Sequence, residues 1–272
     1  MVIDALVAPF QVLVRQRPVI TTFMQREIRT RYGTSALGLA WPLIRPLSLL
    51  ALYTFVFSKV MKVRFTESAS TGDTSDFAFY LFCGLVPWMA FADGITRATT
   101  AIHDQSSLVK RIRFPSEVLP LHQVLVALAI ESLGLVILVG ALVIVGRAPG
   151  WPLLTLAVLV IPQFLFTTGL AWVLATLSVL LSDTRQLVAF ALVFWMYATP
   201  IVYPLWMVPE RVQWLFWLNP MTYVVEAYRG AILETRAPAL VPFALFCGVS
   251  LAVFIAGYWV FQRSKYEFAD VL

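Results

Sequence analysis

The chain has 272 residues, 60% of them hydrophobic and only 13% charged, with a mean hydropathy of +0.82; soluble domains carry charge on about a quarter of their residues, so a soluble globular protein is excluded. The formal net charge of +5 does not point to nucleic acid, because the basic residues sit at the ends of apolar runs, where they meet anionic lipid headgroups. Cys83 and Cys247 both lie inside apolar runs and read as small buried hydrophobes, so neither a disulfide nor a metal site is expected.

Met1–Tyr32 is amphipathic and too interrupted to span a bilayer. Asp4 breaks its start, and Arg15 and Arg17 follow its first apolar patch, so no cleavable signal peptide is expected. After Pro18, the residues Ile20, Phe23, Met24 and Ile28 recur at helical spacing while Gln25, Arg26, Arg29 and Arg31 take the other side. This is the pattern of an interfacial helix. Residues 1–35 are therefore expected to form a cytoplasmic interface helix and residues 36–272 the membrane domain. Five arginines before Ala36 hold the N-terminus inside.

Six spans are expected, at about 37–61, 77–102, 121–145, 152–181, 187–203 and 240–262, from apolar runs of about the length a bilayer requires. The polar loop Lys62–Asp76 belongs outside, and Gly146–Trp151 is a tight turn. Pro162 is expected to kink the fourth span. Between the second and third spans lies the one long polar interruption in the middle of the chain, His103–Pro120. Its Ser106–Arg113 centre is expected as about two helical turns, with Leu108 and Ile112 forming an apolar ridge among Lys110, Arg111 and Arg113. Such a ridge suits a partner's groove; the same composition also suits a lipid-contacting connector.

Pro204–Ala239 is apolar in patches but broken by Pro204, Pro209, Asn219-Pro220 and Pro238. No piece of it is long enough to cross. Two short helices, about Glu210–Leu218 and Met221–Leu233, are expected to dip into the membrane as a hairpin, which requires shielding of their backbone by protein or water. The expected fold is thus an all-α integral membrane protein: six transmembrane helices, an N-terminal amphipathic interfacial helix, and a re-entrant outer helical hairpin between spans five and six. Of the 20 Lys and Arg, 11 fall in segments assigned inside and 6 in segments assigned outside, a moderate bias toward this topology.

Ionisable residues inside spans are costly and mark function by default. Asp93 and Arg97 are four apart and close enough to pair. Arg45, between Pro42 and Pro46, suits either a pyrophosphate headgroup or snorkelling to the interface. Glu131 has no local partner, and one is expected from another helix, Arg45 or Arg97. No lysine in the chain follows a glycine, so the Gly-Lys end of a phosphate-binding Walker A loop is missing.

Arg26-Glu27-Ile28-Arg29-Thr30-Arg31-Tyr32-Gly33, then Leu37-Gly38, Trp41-Pro42 and Pro46, Phe114-Pro115-Ser116-Glu117-Val118-Leu119-Pro120, Pro200-Ile201-Val202-Tyr203 and Leu218-Asn219-Pro220-Met221 together resemble the membrane subunit of ABC-2-type polysaccharide exporters. The resemblance runs in order along nearly the whole chain. It implies a homodimeric permease in the bacterial cytoplasmic membrane, bound to two copies of a separate ATPase that holds ATP and Mg, and exporting a lipid-linked polysaccharide such as O-antigen, capsule or teichoic acid. By the same resemblance, the N-terminal helix with Arg26, Glu27, Arg29 and Arg31, and the central loop with Leu108 to Arg113, contact the ATPase. The broken segment at Pro204, Pro209, Asn219 and Pro220 resembles the external gate.

In that setting the aromatic residues acquire a reading. Phe77, Tyr80, Trp88 and Phe91 fall near one face of the second span, and Phe190, Phe194 and Tyr197 form a stripe on the fifth. Pyranose C–H faces pack on aromatic rings without one fixed register, which suits a sliding polymer. The alternative is helix packing or a lipid-facing surface. Two other functions remain in view: a small-drug or lipid permease, and a polyprenyl-sugar transferase built on His103, Asp104, Glu117 and His122.

Overall fold

A computed structural model of the chain describes residues 2–33, 38–41, 44, 47–48, 51–52, 55–56, 74–110, 114–147 and 149–268. Among these residues every regular element is helical. Two N-terminal helices, α1 (Val2–Arg15) and α2 (Arg17–Tyr32), meet at Gln16, with Pro18 in the first turn of α2, where its missing N–H goes unnoticed. The long helices are α3 (Thr74–Asp104), α5 (Val118–Ile144), α6 (Thr155–Leu180, preceded by a 3-10 turn at Trp151–Leu154) and α10 (Leu240–Ser264). All four are long and apolar enough to cross a membrane. Between them lie α4 (Ser106–Val109), α7 (Thr184–Tyr197), α8 (Glu210–Trp217) and α9 (Pro220–Ile232).

Of the six expected spans, the second, third, fourth and sixth correspond to these long helices. The first falls largely outside the described residues. The fifth is a helix of 14 residues, about 21 Å at 1.5 Å per residue and so shorter than the roughly 30 Å hydrocarbon core. It stops at Tyr197 because Pro200 closes the helix, and a bend leads to a 3-10 turn at Leu205–Met207. Two short helices, α8 and α9, stand at the stretches expected within Pro204–Ala239. The central loop is shorter in helix than expected: α4 is a single turn, and Arg111, Ile112 and Arg113 lie outside the described residues.

In lipid, apolar surface alone does not drive helices together, so close backbone approach and polar contacts must hold the bundle. The pairs α6–α10 and α3–α5 pack along their lengths, with α3 also against α6. At the α6–α10 crossing Gly169 faces Gly257: a Cβ on Gly169 would run into the Val253 carbonyl, and one on Gly257 would sit 2.8 Å from the Gly169 Cα. Only glycine permits that contact. One apolar core fills the space among α3, α5, α6 and α9, with Phe91, Leu81 and Val224 fully enclosed. A second, around Trp172, Phe254 and Ile20, joins α1 and α2 to the bundle, where the Phe10 and Phe254 rings lie 5.2 Å apart.

Candidate functional site

Asn219 joins α8 to α9. It precedes Pro220 and so is held in extended backbone, which ends α8 and frees its side chain to cap α9. Its Oδ1 accepts from Met221 N at 3.0 Å and from Trp195 Nε1 at 2.8 Å, while its Nδ2 donates to Ala198 O at 3.2 Å and to Thr199 Oγ1 at 2.8 Å. All of its hydrogen-bonding capacity is used, and it welds the end of α7 to the start of α9. Trp195 is then locked against Phe91 and Phe166, with ring centres 5.0 and 6.4 Å away.

A groove of about 860 Å³ opens between α7 and the hairpin, lined by Phe190, Phe194, Trp195, Phe216, Asn219 and Pro220 among others. Phe190, Phe194 and Tyr197 are 65%, 61% and 56% exposed. The aromatic residues of α3 do not share this surface. Phe77, Trp88 and Phe91 are buried at 3%, 4% and 1% exposure, and Phe91 packs on Trp88, Phe166 and Trp195. Of the two readings of these side chains, their burial favours helix packing: the ring-bearing face is the one α3 turns to α6 and α7. Tyr80 instead stacks under the Arg229 guanidinium, 3.6 Å from its ring centre.

Arg229 was not singled out from sequence, though an Arg three residues after Glu226 within an apolar helix is a signal that it must be satisfied internally. It is 1% exposed. Its Nη1 donates to Pro200 O at 2.6 Å and to Glu226 Oε1 at 2.8 Å, and its Nη2 to Ile201 O at 2.7 Å. The guanidinium fork thus holds the chain reversal after α7 from the far side of α9. Pro204 and Pro209 bracket the next turn, and Pro209 sets the N-terminal boundary of α8.

Glu131 finds partners on other helices, and among the described residues they are an amide and a phenol. Gln163 Nε2 of α6 donates to its two oxygens at 3.1 and 2.9 Å, and the Tyr228 hydroxyl of α9 donates at 2.5 Å. Arg97 is engaged by Asp93 in the expected pair, Nε to Oδ1 at 2.9 Å, and Arg45 lies outside the described residues. Glu131 with Gln163 and Tyr228 thereby ties three helices together at one point.

At the other end of the bundle the REIRTRY motif is divided. Arg26 and Arg29 are exposed. Arg31 turns inward, its side chain 6% exposed, and reaches Glu27 at 2.7 Å, Asp93 on α3 at 3.0 Å, and Gln123 on α5. Burial pushes the Glu27 carboxyl up, but the Arg31 hydrogen bond and charge, helped by His122 and Gln123, outweigh it and leave the group below its ordinary value. In the central loop Leu108 is half-buried and Lys110 exposed. The four residues weighed for a transferase do not converge: His103 bonds Ser178 O at 2.8 Å, Asp104 bonds Thr100 at 2.7 Å, Glu117 pairs with Lys265 at 2.7 Å, and His122 contacts Val118 O and Gln123.

A family model described as ABC-2 type transporter matches residues 18–233. The O-antigen export system permease protein RfbA of Myxococcus xanthus is 30% identical over 262 residues, spanning 95% of this chain and 96% of that protein. A protein of the same name from Klebsiella pneumoniae is 26% identical, over 93% of this chain and 95% of its own length. The polysialic acid transport protein KpsM of Escherichia coli is 23% identical, over 89% of this chain and 93% of its own.

Proposed function

The chain belongs to the ABC-2 type transporter family, and on that premise we propose that it is the membrane-spanning permease of an ATP-driven exporter of lipid-linked polysaccharide. The observation that carries this reading is the similarity, over nearly the full length of both chains, to permeases named for O-antigen export. Polysialic acid transport proteins, similar over 89% of the chain, extend the likeness to a second polysaccharide class.

In this reading the chain crosses the cytoplasmic membrane six times with both termini inside, works as a homodimer, and binds two copies of a separate ATPase that carries ATP and Mg. The exposed Arg26 and Arg29 of α2, together with the loop around Leu108 and Lys110, meet the ATPase. The α8–α9 hairpin re-enters from the outer face and closes the path at rest. Phe190, Phe194 and Tyr197 face the polymer, where ring surfaces accept successive pyranose C–H faces without a fixed hydrogen-bond register.

The test is reconstitution with the partner ATPase in vesicles loaded with lipid-linked polysaccharide, scoring ATP-dependent appearance of polymer on the far side. ATP-dependent movement of a small lipid or drug with no polymer transport would refute the substrate class. Strong ATP hydrolysis by the purified single chain would refute the division of labour.

A further inference from the structure

The four charges Glu27, Arg31, Asp93 and Arg97 alternate in sign and join α2 to α3, and the Arg31 fork extends the join to α5 through Gln123. Arg31 is the centre of this arrangement. Its side chain is nearly enclosed while Arg97 at the far end is 42% exposed. A lysine would satisfy one of these partners as a point charge; the planar guanidinium satisfies all three at fixed angles. Helix α2 is further seated on α5 by Phe23, whose ring lies 5.3 Å from His122. The opposite side of α2, with Gln25, Arg26 and Arg29, is exposed.

We propose that Arg31 is a positioning residue that makes α2, α3 and α5 move as one body, so that displacement of α2 by the ATPase enters the bundle at Asp93 and Gln123. This rests on the reading of α2 as the ATPase-facing element. A three-partner contact centred on an enclosed guanidinium transmits a push in a way that a greasy helix face does not, because sliding it breaks several charge-assisted hydrogen bonds at once. Asp93 keeps Arg97 when Arg31 is lost, so the bundle itself retains a paired carboxylate.

The experiment uses the permease–ATPase complex in vesicles. Arg31→Gln and Asp93→Asn are expected to assemble and hydrolyse ATP within about twofold of wild type, yet export polymer about tenfold more slowly, within the usual range of a coupling free energy. Next, Arg31→Cys and Asp93→Cys are combined in a chain with Cys83→Ala and Cys247→Ala, then joined by a short bifunctional maleimide; joining is expected to restore export. Wild-type export by Arg31→Gln overturns the proposal. So does loss of assembly or of membrane abundance in both single variants, which would reduce the network to a fold support. If only one accumulates, its ratio of export to hydrolysis decides. Failure of joining to restore export in a complex that still hydrolyses ATP overturns the one-body movement. The wild-type complex reports separately on the function: if it moves no polymer, that reading fails, whereas this inference is read from variant-to-wild-type ratios.

Discussion

Substitution at Asn219 separates a helix cap from an interhelical clamp. Asn219→Ser keeps a good capping oxygen for Met221 N but is too short to reach α7, so it removes only the contacts with Trp195, Ala198 and Thr199. Thr199 is fully buried and still donates to Trp195 O, so the main penalty is the stranded Trp195 Nε1–H, worth about 1–3 kcal/mol. Asn219→Ala loses the cap as well, adding about 1 kcal/mol. The expected order of stability is wild type, then Ser, then Ala, with the total loss about 2–4 kcal/mol. Unfolding in mixed micelles across a series of SDS mole fractions measures the order. If α8 and α9 close the path as proposed, a vesicle leak assay with a small fluorescent solute should follow the same order, since a gate no longer welded to α7 would seal poorly. A Ser variant as stable and as tight as wild type would refute the clamp and leave Asn219 as a cap alone.

Replacing Phe190, Phe194 and Tyr197 together by alanine should leave membrane abundance near wild type and lower polymer export, because all three are exposed; Trp88→Ala or Phe91→Ala should instead cut abundance, at about 3–5 kcal/mol each. Quantitative immunoblots of membranes beside an export assay distinguish the two groups. Arg229→Ala strips the Pro200 and Ile201 carbonyls of their donor and Glu226 of its cation, at a cost of about 3–5 kcal/mol, and Arg229→Lys should rescue little of it; thermal unfolding in detergent reads both. Glu131→Gln keeps an acceptor for Tyr228 and Gln163 and should stay within about 1 kcal/mol of wild type, whereas Glu131→Leu strands the Gln163 amide at about 1–3 kcal/mol and leaves the Tyr228 hydroxyl only Gln163 Oε1, at 3.2 Å. A Glu131→Gln variant as unstable as Glu131→Leu would show that the negative charge, not the hydrogen bonding, is required.

What could be read ahead of the structure was what local chemistry dictates. The hairpin helices were expected at about Glu210–Leu218 and Met221–Leu233 and run over Glu210–Trp217 and Pro220–Ile232, because Pro209 and Asn219-Pro220 set their boundaries by their own backbone restrictions. The Asp93–Arg97 pair was legible because four residues make one helical turn. Periodicity names the residues that share a face but not the neighbour that face meets. Hence Phe77, Trp88 and Phe91 could be grouped on one face, but periodicity did not choose between a path and helix packing, and the amide and phenol that meet Glu131 were not foreseen. Arg31 carried an unused signal. It lies 11 residues after the buried Ile20, about three turns, and so continues the stripe of Ile20 and Met24 into the protein.

The meeting of Gly169 and Gly257 bears on how the bundle can rearrange. Where two backbones touch, there is no side chain whose rotamer change would absorb a slip, so α6 and α10 are stationary with respect to each other at that height. Gly169 is near the middle of α6, leaving about 21 Å of helix on its N-terminal side and about 16 Å on its C-terminal side at 1.5 Å per residue. A rocking of about 10° about this fulcrum would displace the two ends of the helix by about 3.6 and 2.9 Å, in opposite directions, from the same rise per residue. Such a crossing would convert a small movement at one end of the helix into a comparable, opposite movement at the other, with no displacement at the crossing.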